Sequence, residues 1–222
     1  MRTARPWTAN AIVAALLVLT FFFWDQAWLF PVRAFVVFLH ELSHGLAAVL
    51  TGGSIDHIEL SSSLGGVCWS RGGWRLVVLP AGYLGSMAFG GLILVAAARL
   101  HADRVIAGVI GVIVLGVTAL YVRSVFGLLF GAAFGVAMLL SARFLPEGVN
   151  DVLLKYLGLA SLVYAIIDIK EDLIVRTVPG SDAYAMSREL FLPPVFWGAL
   201  WIVIAVAATA VFLRIASGGR AR

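Results

Sequence analysis

Long apolar runs separated by short polar joints dominate the chain. A bilayer hydrocarbon core of about 30 Å takes roughly 20 apolar residues as a helix. Lipid gives backbone groups no outside partner, so such segments must be helical. Measured against that length, the sequence predicts about six to seven spans, with candidate segments at roughly 9–30, 34–50, 75–98, 105–121, 124–141, 151–176 and 194–214. Arg99, His101, Asp103 and Arg104 form a polar elbow after the third, and residues 143–150, with Pro146 and Gly148, form another. The first run follows Arg2 and Arg5 like the start of a signal peptide. Its length, with no small-residue cleavage site after it, predicts an uncleaved span.

Two stretches break the pattern. Residues 51–73 are rich in Gly and Ser, and Ile55, His57, Ile58 and Leu60 alternate imperfectly with polar neighbours. Val67, Cys68 and Trp69 follow a Gly65-Gly66 turn, which predicts a short β-hairpin. Residues 178–194 read as a polar loop in which Ser181 or Asp182 caps a short helix over 183–190.

Composition sharpens this picture. Of 222 residues, 62% are hydrophobic and 13% charged, against about 45–50% and about 25% in soluble domains. With a mean hydropathy of +1.01, the expectation is an all-α polytopic membrane protein, one membrane domain over 1–222, embedded in the lipid bilayer. Disorder, nucleic-acid binding and a secreted disulfide scaffold are excluded. The single cysteine, Cys68, leaves no partner for an internal disulfide or a thiolate metal site. The net charge of +4 comes from 16 Lys and Arg scattered between apolar runs, which suits anionic headgroups better than a basic binding face. Under seven spans the positive charge is nearly balanced between the two sides. Arg2 and Arg5 favour a cytoplasmic N-terminus, which would put Arg214, Arg220 and Arg222 outside.

The second apolar segment carries the chemistry. His40-Glu41-Leu42-Ser43-His44 is an HExxH sequence, and on a helix its two histidines lie one turn apart on one face, so both imidazoles can reach one ion. Glu41 is offset around the helix, placed to take a proton from a water that the ion acidifies rather than to bind the ion. Three ionisable residues at membrane depth each cost about 2.5–3.5 kcal/mol on insertion scales and so require a compensating partner.

Two histidines leave an open tetrahedral zinc site one protein ligand short. His57, in the hairpin, and His101, in the elbow, read as surface or interface residues. Asp168 lies within the sixth apolar segment, and Asp172 shares its face by i,i+4 spacing. One of the two can ligate while the other orients an imidazole. Lys170 and Glu171 read as interfacial. The second and sixth segments run the same way across the bilayer, and HELSH and Asp168 both lie in the later half of their segments, so they can meet at similar depth.

These residues resemble the site-2 protease family of intramembrane zinc metallopeptidases, closest to its short bacterial and plant members. HELSH at 40–44, the stretch PAGYLGS at 80–86 and the late helix around Asp168 carry the resemblance, which covers about 34–185. It implies a three-helix catalytic core in which His40, His44 and a later aspartate bind one Zn2+, with Glu41 as general base. It further implies a transmembrane protein substrate and a bacterial plasma membrane location. The usual LDG aspartate motif is absent, which leaves the third ligand between Asp168 and Asp172, with Asp182 behind both.

Gly82, Ser86 and Gly90 recur every four residues, as do Gly127, Gly131 and Gly135; such stripes let helix backbones approach. The first is expected to press the third segment against the HELSH helix. The hairpin edge could pair with an unwound substrate segment by strand addition. A catalytically inactive metal-binding protein and a metal-ion transporter are the competing functions. Glu41 argues against the first, since binding alone needs no base. The fourth and fifth segments, with almost no polar positions, argue against the second.

Overall fold

The computed structural model describes residues 11–16, 18, 22–23, 26–170 and 180–218. Its elements are α1 (Phe30–Leu50), β1 (Ser54–Leu60), β2 (Gly66–Arg71), α2 (Arg75–Arg99), α3 (Asp103–Tyr121), α4 (Val125–Phe144), α5 (Glu147–Lys170), α6 (Asp182–Leu190) and α7 (Pro194–Ser217). Among the described residues six helices have the length and composition to cross a membrane, namely α1 to α5 and α7. The segment expected at 9–30 lies largely outside the described residues.

Three of the helices begin where side chains favour it. Pro31 stands in the first turn of α1 and Pro194 opens α7, positions where the missing N–H costs nothing. Ser124 caps α4 by accepting from the Gly127 N–H at 3.2 Å. The first five helices alternate in direction. Thus α1, α3 and α5 run one way, and the hairpin, the α3–α4 turn and α6 gather at a single end.

Burial orders the bundle. In α1, 72% of the span-length window is buried, against 61% in α5 and 17% in α7. The HExxH helix is therefore the core element and α7 a peripheral one. Phe35 of α1 stacks on Phe134 of α4 at 4.6 Å, and Val36, Phe38 and Leu39 join Leu154 and Leu157 of α5 in the main core.

Both glycine stripes are packing devices. Gly111 and Gly135 bring α3 against α4; a Cβ at Gly135 would sit 3.1 Å from the Gly111 carbonyl. The first stripe serves two neighbours. Gly82 faces the HELSH helix as expected, whereas Gly90 faces α5, where a Cβ would lie 2.8 Å from the Gly158 carbonyl.

The hairpin forms with β1 and β2 antiparallel, Leu60 opposite Gly66 and Ile58 opposite Cys68. It rests on α1 at Gly45, where a Cβ would come 2.7 Å from Ile55. Its outer β1 edge is occupied. The Arg123 N–H donates to the Ile58 carbonyl at 3.0 Å, the Leu60 N–H to Ser124 Oγ at 2.9 Å, and Ser124 Oγ–H back to the Leu60 carbonyl at 2.8 Å. The β2 edge faces a cavity, with its Cys68 backbone N–H taken by the Glu41 carboxylate.

Candidate metal centre

One turn of α1 separates His40 from His44, and the helix points both imidazoles at α2. Their Nε2 atoms stand 3.0 Å apart. The Asp182 Oδ2 lies 3.2 Å from the His40 Nε2 and 3.2 Å from the His44 Nε2. On its other side the His44 ring meets the Val78 carbonyl, 2.8 Å from Nδ1. A carbonyl can only accept, so Nδ1 carries the hydrogen and Nε2 offers a lone pair toward Asp182 and His40. Pro80 lies inside α2, where its missing N–H leaves the Leu76 carbonyl without its usual helical donor.

A lone pair, a second imidazole nitrogen and a carboxylate this close demand positive charge between them. The donor set fits a divalent ion. Bonds of 2.0–2.2 Å in a tetrahedral zinc site put adjacent ligand atoms about 3.4 Å apart, close to the 3.0 and 3.2 Å separations found. His40, His44 and Asp182 form the three-donor cluster among the described residues.

The electrostatics agree. Burial alone would raise the Asp182 carboxyl. When the imidazoles are protonated, the His44 charge and the hydrogen bonds from His40 and His44 outweigh that cost and hold it well below the ordinary carboxylate range. An ion in place of those protons would leave both rings neutral and their Nε2 lone pairs free.

Small residues make room for the cluster. A Cβ at Gly82 would clash with the Nε2 atoms of His40 and His44, so α2 can approach there only as glycine. Tyr83, 1% exposed, meets the His40 ring edge-to-face at 4.8 Å. Glu41, 5% exposed, stands beside the cluster under the start of β2. A Cβ at Gly66 would reach its Oε1 at 2.7 Å, and the Cys68 backbone hydrogen-bonds the carboxylate. A cavity of about 520 Å³ opens onto His40, Glu41 and His44 between β2 and α6.

Sequence reading expected Asp168, or else Asp172, in the third place; the structure brings Asp182 there instead. Asp168, near the end of α5, lines the same cavity, close enough for its charge to act on His40. Asp172 lies outside the described residues. The cause is the path of the chain: α5 ends at Lys170, and the chain comes back to the histidines at the first turn of α6. The signal for this was the Ser181-Asp182 helix start, read as a cap. The helix forms, yet Ser181 makes no capping hydrogen bond, and Asp182 faces the histidines. His57 sits in the hairpin between Asp56, at 3.4 Å, and Glu59, at 3.5 Å, while His101 is exposed in its elbow; neither joins the cluster.

No curated protein and no solved structure matches the chain. A family model described as Peptidase M50B-like matches residues 12–212, which take in the HExxH helix, the hairpin and α6. Six apolar helices together with this match make the protein an integral, multi-pass membrane protein. The chain belongs to the Peptidase M50B-like family, the zinc-dependent site-2 protease family.

Proposed function

We propose that the protein is an intramembrane zinc endopeptidase that hydrolyses peptide bonds of membrane-spanning substrates, with His40, His44 and Asp182 as the metal ligands. The observation that carries this is the convergence of three donor atoms, 3.0–3.2 Å apart, beside the Glu41 carboxylate in an open cavity. His40, His44 and Asp182 would hold the zinc ion, which would supply Lewis acidity to water and to the scissile carbonyl. Glu41 is placed to take a proton from water and to pass it to the departing amide nitrogen, so that overall one water would be added across the C–N bond. Val78 fixes the His44 tautomer, and Gly82 and Tyr83 keep both rings in place.

A helical substrate hides its carbonyls and must unwind to be cut. The β2 edge borders the cavity, while β1 is closed off by Arg123 and Ser124. An extended substrate segment laid along β2 recovers main-chain hydrogen bonds beside Glu41. Ser70→Pro in β2 is expected to slow cleavage with zinc content intact.

The decisive experiment pairs Glu41→Gln with His44→Ala in purified full-length protein, reading zinc content and cleavage of single-span helices. Glu41→Gln keeps zinc and loses proteolysis; His44→Ala loses both. Proteolysis surviving in Glu41→Gln would refute the mechanism, and an inert metal-binding protein would cleave nothing in any form.

A further inference from the structure

Asp182 reaches the histidines from a helix of nine residues, too short to be stable by itself. What sets its position is therefore a question of docking. Asp182, Met186 and Glu189 follow i, i+4, i+7 spacing and share one face of α6. On α2, Arg75, Leu79 and Gly82 follow the same spacing. At the outer end, Arg75 Nε donates to Glu189 Oε1 at 2.5 Å. At the inner end, Gly82 touches the two imidazoles that Asp182 faces. Seven residues separate the ion pair from the donor cluster along each helix, about 10 Å in both. The two helices thus lie antiparallel, fixed in register at both ends.

Between those ends the contact is apolar. Ala183 and Met186 bury against Tyr83, Ile169 and Trp201. Such packing is non-directional and does not by itself choose among registers, and a slip of one turn, about 5.4 Å, carries Asp182 out of reach. From this we infer that Arg75 and Glu189 are a positioning pair: their ion pair sets the register of α6 on α2 and so delivers Asp182 to the donor cluster. The inference rests on the reading of His40, His44 and Asp182 as the zinc site.

The side chains are 62% and 34% exposed, so solvent weakens the pair. Exposed pairs contribute about 0.2–1 kcal/mol, which is up to about fivefold in an equilibrium constant. The test is Zn2+ affinity of the full chain in detergent, read by competition with a chelator. Arg75→Gln and Glu189→Gln are expected to weaken Zn2+ binding about two- to fivefold. Arg75→Glu and Glu189→Arg, which oppose like charges, should weaken it about tenfold, and the double exchange should return it to within about twofold of wild type. The Co2+ absorption spectrum of each charge reversal should shift toward that of Asp182→Asn and return in the double exchange, a signature that general loosening would not produce. Single variants that bind Zn2+ like wild type, or a double exchange no better than the singles, overturn the inference alone. A wild-type chain that binds no Zn2+ overturns the proposed function itself.

Discussion

Replacing Gly82 by alanine adds one methyl group at the most crowded point of the centre. Its Cβ would clash with the Nε2 atoms of both histidines and lie 2.6 Å from the His40 Cε1, where ordinary contacts are about 3.5–4.0 Å. Relief requires about 1 Å of movement, either by α2 backing away or by the rings turning. Metal sites tolerate deviations of about 0.2 Å, so either movement breaks the three-donor geometry. Zinc affinity should fall at least about 100-fold, roughly 2.7 kcal/mol. The fold itself should lose about 1–3 kcal/mol, the usual cost of overpacking. Gly90→Ala is the matched control on the same helix, facing α5 and meeting Ser161 Cβ at 2.5 Å and the Gly158 carbonyl at 2.8 Å, away from the donors. It should lose comparable stability and keep zinc affinity within about threefold. The assay is chelator competition for Zn2+ beside thermal unfolding in chelator. A Gly82→Ala protein with wild-type zinc affinity would refute the placement of α2 against the imidazoles.

Three further outcomes follow from the geometry. Asp182→Asn should lower zinc affinity about 100-fold or more, whereas Asp168→Asn should cost less than about tenfold, because Asp168 lines the cavity without joining the donors; the reverse order in chelator titrations would give the third place to Asp168. The Cys68 thiol, pushed up from 9.0 to about 12 by burial and by the Glu41 charge, should react with iodoacetamide at pH 8 about 1,000-fold more slowly than an ordinary thiol, since the thiolate is the reactive form. Glu41→Gln should speed that reaction, and an ordinary rate in the wild type would contradict the burial. Ser124→Ala removes the α4 cap and both bonds to Leu60; the hairpin should lose about 1–2 kcal/mol of local stability, seen as faster amide exchange at Leu60, and unchanged exchange would detach the hairpin from the α3–α4 turn.

The legible and illegible parts of this protein divide along a physical line. Spans were readable because lipid imposes a length, and the histidine pair because helical spacing puts i and i+4 on one face. The hairpin at 51–73 was readable from its alternation and its glycines. Asp182 was not. Periodicity reports which face of a helix a residue occupies, but not where a connecting segment returns in space. The argument from equal depth led to Asp168, which lines the same cavity; the carboxylate beside the histidines stands one element later, on a helix start whose acidic residue looked like an ordinary cap. Gly82 was legible as a packing residue, while its contact with the imidazoles depends on how far α2 slides along α1, a quantity set by tertiary packing alone.

Asp182 and His40 are 142 residues apart in the chain. During synthesis, at about 5–20 residues per second, His40 is joined to the chain roughly 7–28 s before Asp182. A nascent chain therefore carries both imidazoles through most of its insertion without the carboxylate that completes the cluster. On the proposed reading, the metal centre stays incomplete until the segment that carries Asp182 has been made.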